Sequence, residues 1–359
     1  MHTTLPPFSG AYAPDDVQFL LSPVAVDYTP VAEKERLIQR GEKHYSEMLS
    51  EEPSPSAAHQ AIYRQAMAQF GPRLAGEVAS LALGLATQIS ARPLVLVSLV
   101  RAGVPLGVCL LHALRDLGVE AVHYGVSIIR DRGIDHAALD YITTRHGSDG
   151  VVFVDGWTGK GAISRELTRS LAVYPAFRHA PRLAVLADPG GCAWLSASGE
   201  DWLMPFGILG APVSGLMSRS LWRDSGFHGS MYCGHLQAHD ISRAFVAEVD
   251  ALRAALPEPA VAARPDAERR TMLRHLSQRV ITMLAESYQV DSLNRIKPGI
   301  AEATRAVMRR VPEHVLVSHR DDADVALLVH LAESAGIRVE EAGEALGVYR
   351  AVTIIRKVA

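Results

Sequence analysis

The sequence predicts an α/β protein of two units: a parallel sheet covered by helices on both faces, and a smaller α/β unit after it. Short, continuous apolar runs alternate with segments of helical periodicity. Continuous apolar strands are typical of parallel sheets that are buried on both faces. An Ala- and Pro-rich stretch at Ala254–Asp266, AALPEPAVAARPD, interrupts the pattern. It predicts domains at 1–255 and 269–359, joined by a linker at 256–268.

In the first unit a long helix is followed by strands and helices in alternation. The predicted elements are helix Ala61–Ser90, strand Pro93–Val100, helix Val104–Leu117, strand Ala121–Ile129, strand Gly150–Val154, helix Ser164–Leu171 and strand Leu183–Leu186. The second unit is predicted to have three layers. Its elements are helix Ala301–Arg310, strand His314–Val317, helix Val325–Ala335, strand Arg338–Glu340 and strand Ala351–Ile355.

Composition limits the class of protein. The chain has 359 residues and a formal net charge of -3, which excludes electrostatic binding of nucleic acid by the molecule as a whole. Its three cysteines, Cys109, Cys192 and Cys233, are few and widely spaced. This spacing argues against a disulfide framework and favours a reducing, cytoplasmic compartment. The apolar runs are too short to cross a bilayer, so no membrane is expected.

The sharpest motif is VVFVDGWTGKGAIS at Val151–Ser164, where an apolar strand ends at Asp155 and a glycine-rich turn opens a helix. Backbone N–H groups at such a turn favour a phosphate group. The predicted phosphate-binding residues are Gly156, Thr158, Gly159, Lys160, Gly161, Ala162, Ile163 and Ser164. Asp155 is expected to hold ribose hydroxyls, or a metal ion through the same ligand. The alternative is an ordinary strand-to-helix turn with glycines for tight geometry.

A second turn follows the strand within Leu94–Gly107, LVLVSLVRAGVPLG. Arg101, Ala102 and Gly103 come where the buried run ends, at the sheet edge that also carries Asp155. A guanidinium beside backbone N–H groups suits a pyrophosphate. The alternative is a surface arginine at a helix start.

Together the two turns resemble the type I phosphoribosyltransferase family, although the family's second acidic residue is missing after Asp155. The resemblance implies a type I phosphoribosyltransferase-like sheet domain that uses phosphoribosyl pyrophosphate with Mg²⁺. It implies catalytic roles for Asp155 and Arg101, and for Arg130 and Asp131 in a mobile loop at Ser127–Asp135. For that loop the alternative is a solvated hairpin tip.

Over nearly its whole length the chain also resembles a divergent group associated with tellurium resistance and stress response. The matching stretches include FSGAYAPDDVQFLL, EKERLIQRGEKHYSEML, APVSGLMSRS and GFHG. This group pairs a phosphoribosyltransferase-like domain with a Pelota-like RNA-binding domain, and some relatives carry the label cysteine protease StiP. The resemblance suggests Ser214, Arg219 and His228 as acceptor-binding residues, with plain turn chemistry as the alternative.

The second unit carries its own motif, IKPGIAEATRAVMRR at Ile296–Arg310, which resembles the nucleotide-contacting segment of Pelota and L7Ae-like folds. Residues 264–310 hold ten Lys or Arg and five Asp or Glu, a local positive excess that suits a phosphate backbone. The predicted RNA-binding residues are Lys297, Gly299, Glu302, Arg305 and Arg309. The alternative is a solvated basic helix face.

Three functions follow as expectations. The first is a phosphoribosyltransferase with an unidentified acceptor, Mg²⁺ as cofactor, RNA as a partner and a second copy of the chain as another. The second is a degenerate transferase fold that senses a nucleotide and binds RNA. The third is a cysteine protease, for which Cys233 has His235, His239 and Asp240 close in sequence. Structural roles for all three cysteines are favoured over this third function.

Overall fold

The structure is a computed structural model that describes residues 6–177 and 180–357. Residues 1–5, 178–179 and 358–359, which belong to the predicted domains 1–255 and 269–359, lie outside the described residues. The strands are β1 (Gln18–Leu20), β2 (Ser22–Pro23), β3 (Leu94–Leu99), β4 (Ala121–Val126), β5 (Ile128–Ile129), β6 (Gly133–Ile134), β7 (Val151–Trp157), β8 (Leu183–Ala187), β9 (Leu195–Ser198), β10 (Gly229–Ser230), β11 (Ile296–Pro298), β12 (Pro312–Val317), β13 (Val339–Glu341) and β14 (Ala351–Ile355). The α-helices are α1 (Val31–Gln39), α2 (Ala57–Gln88), α3 (Gly103–Asp116), α4 (His136–His146), α5 (Ala162–Ala172), α6 (Pro205–Ile208), α7 (Ser242–Ala254), α8 (Ala267–Ser287), α9 (Ile300–Arg309) and α10 (Ala326–Ser334).

The central sheet has six strands in the order β1-β4-β3-β7-β8-β9, and every neighbouring pair is parallel. Its strands are buried on both faces. Successive residues of one strand pack into two different hydrophobic clusters, one on each face of the sheet. Leu94 and Leu96 of β3 join the cluster formed with α2, α3 and α7. Val95 and Val97 join the cluster formed with α4 and α5. The predicted parallel α/β arrangement is therefore confirmed, and its physical basis is burial of both sheet faces.

The second unit is a four-stranded mixed sheet in the order β11-β14-β12-β13. Helix α8 covers one face, where Val280, Ile281 and Leu284 pack on the sheet. Helices α9 and α10 cover the other face, so the unit has three layers. The apolar cluster on that face continues into the first unit, because it contains both Phe206 of α6 and Ile300 of α9.

The segment between α7 and α8 lies against the first unit. The Ala263 N–H donates to the Ser80 carbonyl at 3.0 Å. A Cβ on Gly84 would come within 2.5 Å of the Ala263 oxygen, so α2 accepts this close approach only with glycine there. The division into domains at 255 and 269 stays a prediction.

Several elements differ from the sequence-based expectation. The predicted strand Ala121–Ile129 is two strands, because the chain leaves the sheet at Ser127 and forms the β5–β6 hairpin. Strand β7 runs three residues past Val154, so the glycine-rich turn is shorter than predicted. Helices α1, α4, α7 and α8 were not predicted, and in each of them fewer than half of the residues are buried. None of the helices in the described ranges combines the length and the apolar character needed to cross a membrane.

Candidate functional site

The turns that follow β3 and β7 lie side by side at one edge of the central sheet. Ser98 of β3 is in register with Val154 of β7, and beyond this pair β3 continues for one residue and β7 for three. A Cβ on Gly103 would lie 2.1 Å from the Val154 carbonyl oxygen. The Arg101–Gly103 turn therefore packs directly on the end of β7, and this contact requires glycine.

These turns form one wall of a cavity of about 370 Å³, which we call the cationic cleft. The opposite wall is α9 with the end of β11, so both units contribute to it. Two acidic residues, Asp155 and Glu302, line the cleft. The nine basic residues that line it are Lys34, Arg101, Arg130, Lys160, Arg219, Lys297, Arg305, Arg309 and Arg310.

Aromatic rings and carbonyl groups position several of these cations. The Arg305 guanidinium lies over the Trp157 ring at 4.5 Å from its centroid, and Arg130 lies over Tyr45 at 5.3 Å. Arg219 donates to the Tyr45 carbonyl at 2.7 Å. Arg305 forms no ion pair with any described residue, and its Nε lacks a hydrogen-bond partner within the same ranges. The cleft therefore contains positive charge that the protein itself does not neutralise.

The electrostatics of the cleft reflect burial first and charge repulsion second. Burial, followed by the neighbouring Arg309 and Arg101, lowers the pKa of Arg305 to about 9. Burial likewise lowers the pKa of Lys297 to about 8, even though Glu302 acts to raise it. The pKa of Asp155 is raised to about 7, again mainly by burial.

The glycine-rich turn also has packing reasons for its glycines. A Cβ on Gly159 would meet Glu302 Oε2 at 2.5 Å and the Pro298 carbonyl oxygen at 3.1 Å, so the Glu302 side chain would have to move. Gly161 has a φ of +76°, and its Cβ would meet the Cys192 sulfur at 2.5 Å. Lys160 Nζ donates to the Leu293 carbonyl and to the Ile296 carbonyl, so this turn is fastened to the second unit. Its role in phosphate binding stays a prediction.

Most of the predicted phosphate-binding residues line the cleft. They are Ala102, Thr158, Gly159, Lys160, Gly161, Ala162, Ile163 and Ser164. Gly103 and Gly156 are instead packed beneath the cleft, against Val154 and Phe206. Two of the predicted side chains also make internal hydrogen bonds, because Thr158 donates to Asp188 and Ser164 donates to the Cys192 carbonyl at 3.0 Å.

The remaining predicted residues of the first unit separate into two groups. Arg130 and Arg219 line the cationic cleft. Asp131 sits at the β5–β6 turn with its side chain 61% exposed, as expected for a hairpin tip. Ser214 and His228 are buried in internal contacts: Ser214 donates to the Gly210 carbonyl at 3.0 Å, and His228 Nδ1 lies 2.7 Å from the Ser127 hydroxyl.

The residues predicted to bind RNA face the first unit. Lys297, Glu302, Arg305 and Arg309 line the cationic cleft. Gly299 lies at the docking point of α9, where Asp201 of the first unit accepts the Ile300 N–H at 3.0 Å. The basic face of α9 is therefore one wall of a cleft, and RNA binding by these residues stays a prediction.

A second cavity of about 360 Å³ lies beside the first, and we call it the cysteine cleft. It is lined by Cys233, His59 and Glu52, none of which the glycine-rich motifs indicate. Four basic residues line both clefts: Lys34, Arg101, Arg219 and Arg309. Sequence reasoning missed His59 and Glu52 because they come from the start of α2 and the loop before it, far in sequence from either motif.

Glu52 neutralises two of the shared arginines. It forms an ion pair with Arg101 and a second with Arg309 at 3.4 Å, and it accepts the Ala211 N–H at 2.7 Å. Burial alone would raise its pKa, but the two arginines and the N–H group together lower it to about 2. Glu52 is therefore ionised at neutral pH and balances the charge on this side.

The three cysteines are free thiols in different surroundings. Cys109 is in the core of α3, where burial raises its pKa far above the ordinary value. Burial, followed by Asp188, raises the pKa of Cys192 to about 11, and the wall of its cavity contains no histidine among the described residues. Burial also raises the pKa of Cys233, while the nearby Arg101 and Arg309 act to lower it.

The protein side chains offer no ready metal site. Among residues 6–177 and 180–357, no group of three or more His, Cys, Asp and Glu side chains could hold a metal ion. Asp155 Oδ1 accepts the Gly156 N–H at 2.8 Å, and burial favours its neutral form. The Mg²⁺ expected through the sugar-phosphate ligand has no supporting set of protein ligands.

The fold and the site together indicate the class of protein. It has a parallel α/β domain with a cysteine-containing cleft, joined to a Pelota-type unit. The family model described as "Tellurite-like stress resistance cysteine protease StiP" matches residues 10–250, and the model described as "PELOTA RNA binding domain" matches residues 275–357. A protein of Acinetobacter baylyi named "Cysteine protease StiP" is 48% identical over 364 residues, covering 98% of this chain and 94% of that protein. The chain therefore belongs to the StiP family.

Solved structures add no argument. A hypoxanthine phosphoribosyltransferase of Trypanosoma cruzi is 16% identical and has a TM-score of 0.28, covering 38% of this chain and 81% of that one. An archaeal alanine:glyoxylate aminotransferase has a TM-score of 0.21 at 11% identity, covering 90% and 89%. Scores this low do not support the type I phosphoribosyltransferase fold over another α/β fold.

These findings correct the first expectation. The family model and the 48% identical relative are both named as a cysteine protease, so the predicted phosphoribosyltransferase activity is wrong. Phosphoribosyl pyrophosphate loses its support as the substrate, and Mg²⁺ loses the reason for which it was predicted. The tellurium-resistance grouping and the Pelota-type unit are confirmed. The homodimer finds no support.

Proposed function

We propose that this chain is a cysteine peptidase and that Cys233 is its nucleophile. The observation that carries the assignment is that Cys233 shares a cavity with the imidazole of His59. The other two thiols lack this arrangement, since Cys109 lines neither cleft and the wall of the Cys192 cavity holds no histidine among the described residues. The name of the Acinetobacter relative supports the same activity.

His59 suits the role of general base. Its Nε2 lies 2.8 Å from the Ile208 carbonyl oxygen, which can only accept, so Nε2 carries the proton and Nδ1 has the free lone pair. Burial lowers the pKa of His59, which keeps the ring neutral and able to take a proton at neutral pH. The Cys233 thiol is also neutral at rest, so a base is required.

The reaction then follows the usual thiol route. The Cys233 proton passes to His59, and the sulfur attacks the carbonyl carbon of the peptide bond. The C–N bond breaks as His59 returns the proton to the leaving amine. Water hydrolyses the remaining thioester, regenerating the thiol. Arg101 and Arg309 at the cavity wall favour the thiolate that forms during this sequence.

The test uses hydrolysis of a fluorescent casein or peptide-library substrate by the full chain. We expect Cys233→Ala to lower the rate by at least roughly a hundredfold and His59→Gln to lower it strongly. Cys192→Ala and His235→Gln are matched controls, because neither side chain lines the cavity, and they should keep most of the activity. Full activity of Cys233→Ala would refute the assignment.

RNA binding by the Pelota-type unit is a second candidate. It is supported by the family match at residues 275–357 and by cations on the outer face of α8, where Arg279 is exposed and has no charged partner among the described residues. A gel-shift series with short single-stranded RNA over increasing salt tests it. Arg279→Gln should flatten the salt dependence by about 0.7 units if the side chain contacts one phosphate. An identical slope would argue against RNA on this face.

A further inference from the structure

The cationic cleft contains far more positive charge than the peptidase reaction uses. Nine basic and two acidic side chains line a cavity of about 370 Å³. Glu35 pairs with Arg310, and Glu52 pairs with Arg101 and Arg309, so carboxylates behind the wall neutralise part of this charge. The remaining cations repel one another in a confined space, and a bound anion would relieve that repulsion. The volume suits a small molecule and is too small for a folded partner.

Two of the cations are almost completely buried without full pairing. Arg101 is 5% exposed, and its Nε has no hydrogen-bond partner among the described residues. Lys297 is 7% exposed, and its ammonium is 3.7 Å from Glu302 Oε1, beyond ordinary hydrogen-bond length. Arg305 is only partly buried, but its guanidinium lies over the Trp157 ring at 4.5 Å and its Nε is buried without a partner among the described residues. Each of these groups has donor capacity that remains available to an anion.

The two walls of the cleft belong to different units. Arg101 follows β3 in the first unit, whereas Lys297 and Arg305 come from β11 and α9 in the second. The walls are held together by the Lys160 contacts with the Leu293 and Ile296 carbonyls. A ligand in this space therefore touches both units at once.

We propose that the cationic cleft is a binding site for a small molecule with at least two linked phosphate groups, held between Arg101 of the first unit and Lys297 and Arg305 of the second. A diphosphate has oxygens that point in several directions, so it can accept hydrogen bonds from cations on both walls at once. Arginine and lysine together suit such a group, because guanidinium binds phosphate in a bidentate manner and ammonium adds a compact charge. The N–H groups at the start of α5, which also line the cleft, provide further donors.

Isothermal titration of the full chain with inorganic pyrophosphate, at constant ionic strength, tests the proposal. We expect saturable binding with one site per chain, and weaker binding of inorganic phosphate. Arg305→Gln and Lys297→Met should each weaken pyrophosphate binding by roughly 10- to 100-fold, since each removes one charge-assisted contact. Arg305→Lys should retain part of the affinity. Arg338→Gln, at an exposed cation of the same unit outside the cleft, should bind as the wild type does.

The proposal would be overturned by absence of saturable pyrophosphate binding, or by wild-type affinity in both Arg305→Gln and Lys297→Met. Thermal melting shows whether each variant is folded. If Arg305→Gln is unfolded, the pyrophosphate affinity of Lys297→Met tests the proposal instead. Short single-stranded RNA serves as the competing probe. If RNA binding is lost in Arg305→Gln while pyrophosphate does not compete with it, the cleft binds RNA and the small-molecule proposal is wrong. Peptidase assays do not enter this test, so the two proposals fail separately.

Discussion

The two clefts share four basic residues, yet they differ in charge balance. On the side of the cysteine cleft, Glu52 pairs with both Arg101 and Arg309, and Glu51 adds a second carboxylate to the wall. On the side of the cationic cleft, Asp155 is held largely neutral by burial, since its pKa is about 7, and Glu302 faces Lys297. The cysteine cleft thus has two acidic residues for four basic ones, whereas the cationic cleft has two for nine.

This difference shows that the position of a nearby carboxylate decides how many N–H groups of an arginine remain available to a ligand. Arg101 points its Nη2 to Glu52 and its Nη1 to the Met217 carbonyl at 2.9 Å, which leaves only Nε without a partner. A guanidinium paired in this way can bias a nearby thiol and still has its Nε–H to donate to a ligand. An unpaired one such as Arg305 attracts an anion directly. Each of the following variants changes this balance at one point.

The largest effect is expected for Glu52→Gln. This change leaves Arg101, whose side chain is 4% exposed, beside Arg309 without a counter-charge. Removing one partner of a buried ion pair typically costs 3–5 kcal/mol, and because Glu52 is 20% exposed we expect about 3 kcal/mol of unfolding free energy. Urea denaturation of the full chain measures it.

Glu51→Gln is the matched control, because Glu51 lines the same cleft but is exposed and has no ion pair among the described residues. Its stability should lie within about 0.5 kcal/mol of the wild type. Equal losses of unfolding free energy in the two variants would mean that the ion pairs of Glu52 do not stabilise the wall that the clefts share. The contrast between the two clefts would then disappear.

The sequence predicted the sheet better than the helices around it. Strand β3, with the run LVLVSL, is buried at every position, so its composition directly reflects its environment. Helix α8 was missed because most of its residues are exposed, including Arg269 and Arg279, and only one narrow stripe packs on the second sheet. Strands β1 and β9 have three and four residues, too few for a periodic signal.

For the site, sequence reasoning located both turns and both basic motifs but not their relation. Arg101 and Arg305 are far apart in sequence, and only the docking of α9 on the first unit places them on one cavity. The basic residues of α9 were expected on a free surface because charge composition does not reveal which face a neighbour covers. His59 and Glu52 carry no local motif, so nothing in the sequence distinguished them from other surface-type residues.

A smaller loss is expected when the docking of α9 is weakened, and it should affect the cationic cleft first. Asp201 accepts the N–H groups of Ile300 and Arg350 at 3.0 Å and 2.9 Å, which ties the second unit to the first. Asp201→Ala leaves both donors without this acceptor, and we expect a loss of about 2 kcal/mol.

Asp201→Asn is the graded control, since its amide oxygen can still accept one of the two N–H groups. It should lose less stability than Asp201→Ala. In titrations with pyrophosphate, the Ala variant should bind more weakly than wild type, because the wall that carries Lys297 and Arg305 is no longer fixed. Unchanged pyrophosphate affinity in a destabilised Asp201→Ala protein would show that the docking of α9 is not needed for binding in the cationic cleft.

The smallest expected effect is a pH dependence of pyrophosphate binding, and it follows from the ionisable groups that line the cationic cleft. Burial raises the pKa of Asp155 to about 7, so this carboxyl is neutral below that pH and adds a negative charge above it. Burial also lowers the pKa values of Lys160 to about 7 and of Lys297 to about 8, so both lose positive charge as pH rises. All three changes remove net positive charge in the same direction.

Pyrophosphate binding should therefore weaken as pH rises from 6 to 9, by roughly tenfold or about 1.4 kcal/mol, after correction for the ionisation of pyrophosphate itself. Lys34, which lines both clefts, also loses charge in this range, because burial lowers its pKa to about 8. Asp155→Asn removes one of these titrating groups without changing the shape of the side chain, so its decline should be shallower and its affinity at high pH greater. Glu52 has a pKa of about 2 and does not titrate in this range, so the charge of the cysteine cleft changes less over the same interval. A pH profile that is identical in wild type and Asp155→Asn would show that Asp155 does not face the bound anion, and the charge difference between the clefts would then depend on the lysines alone.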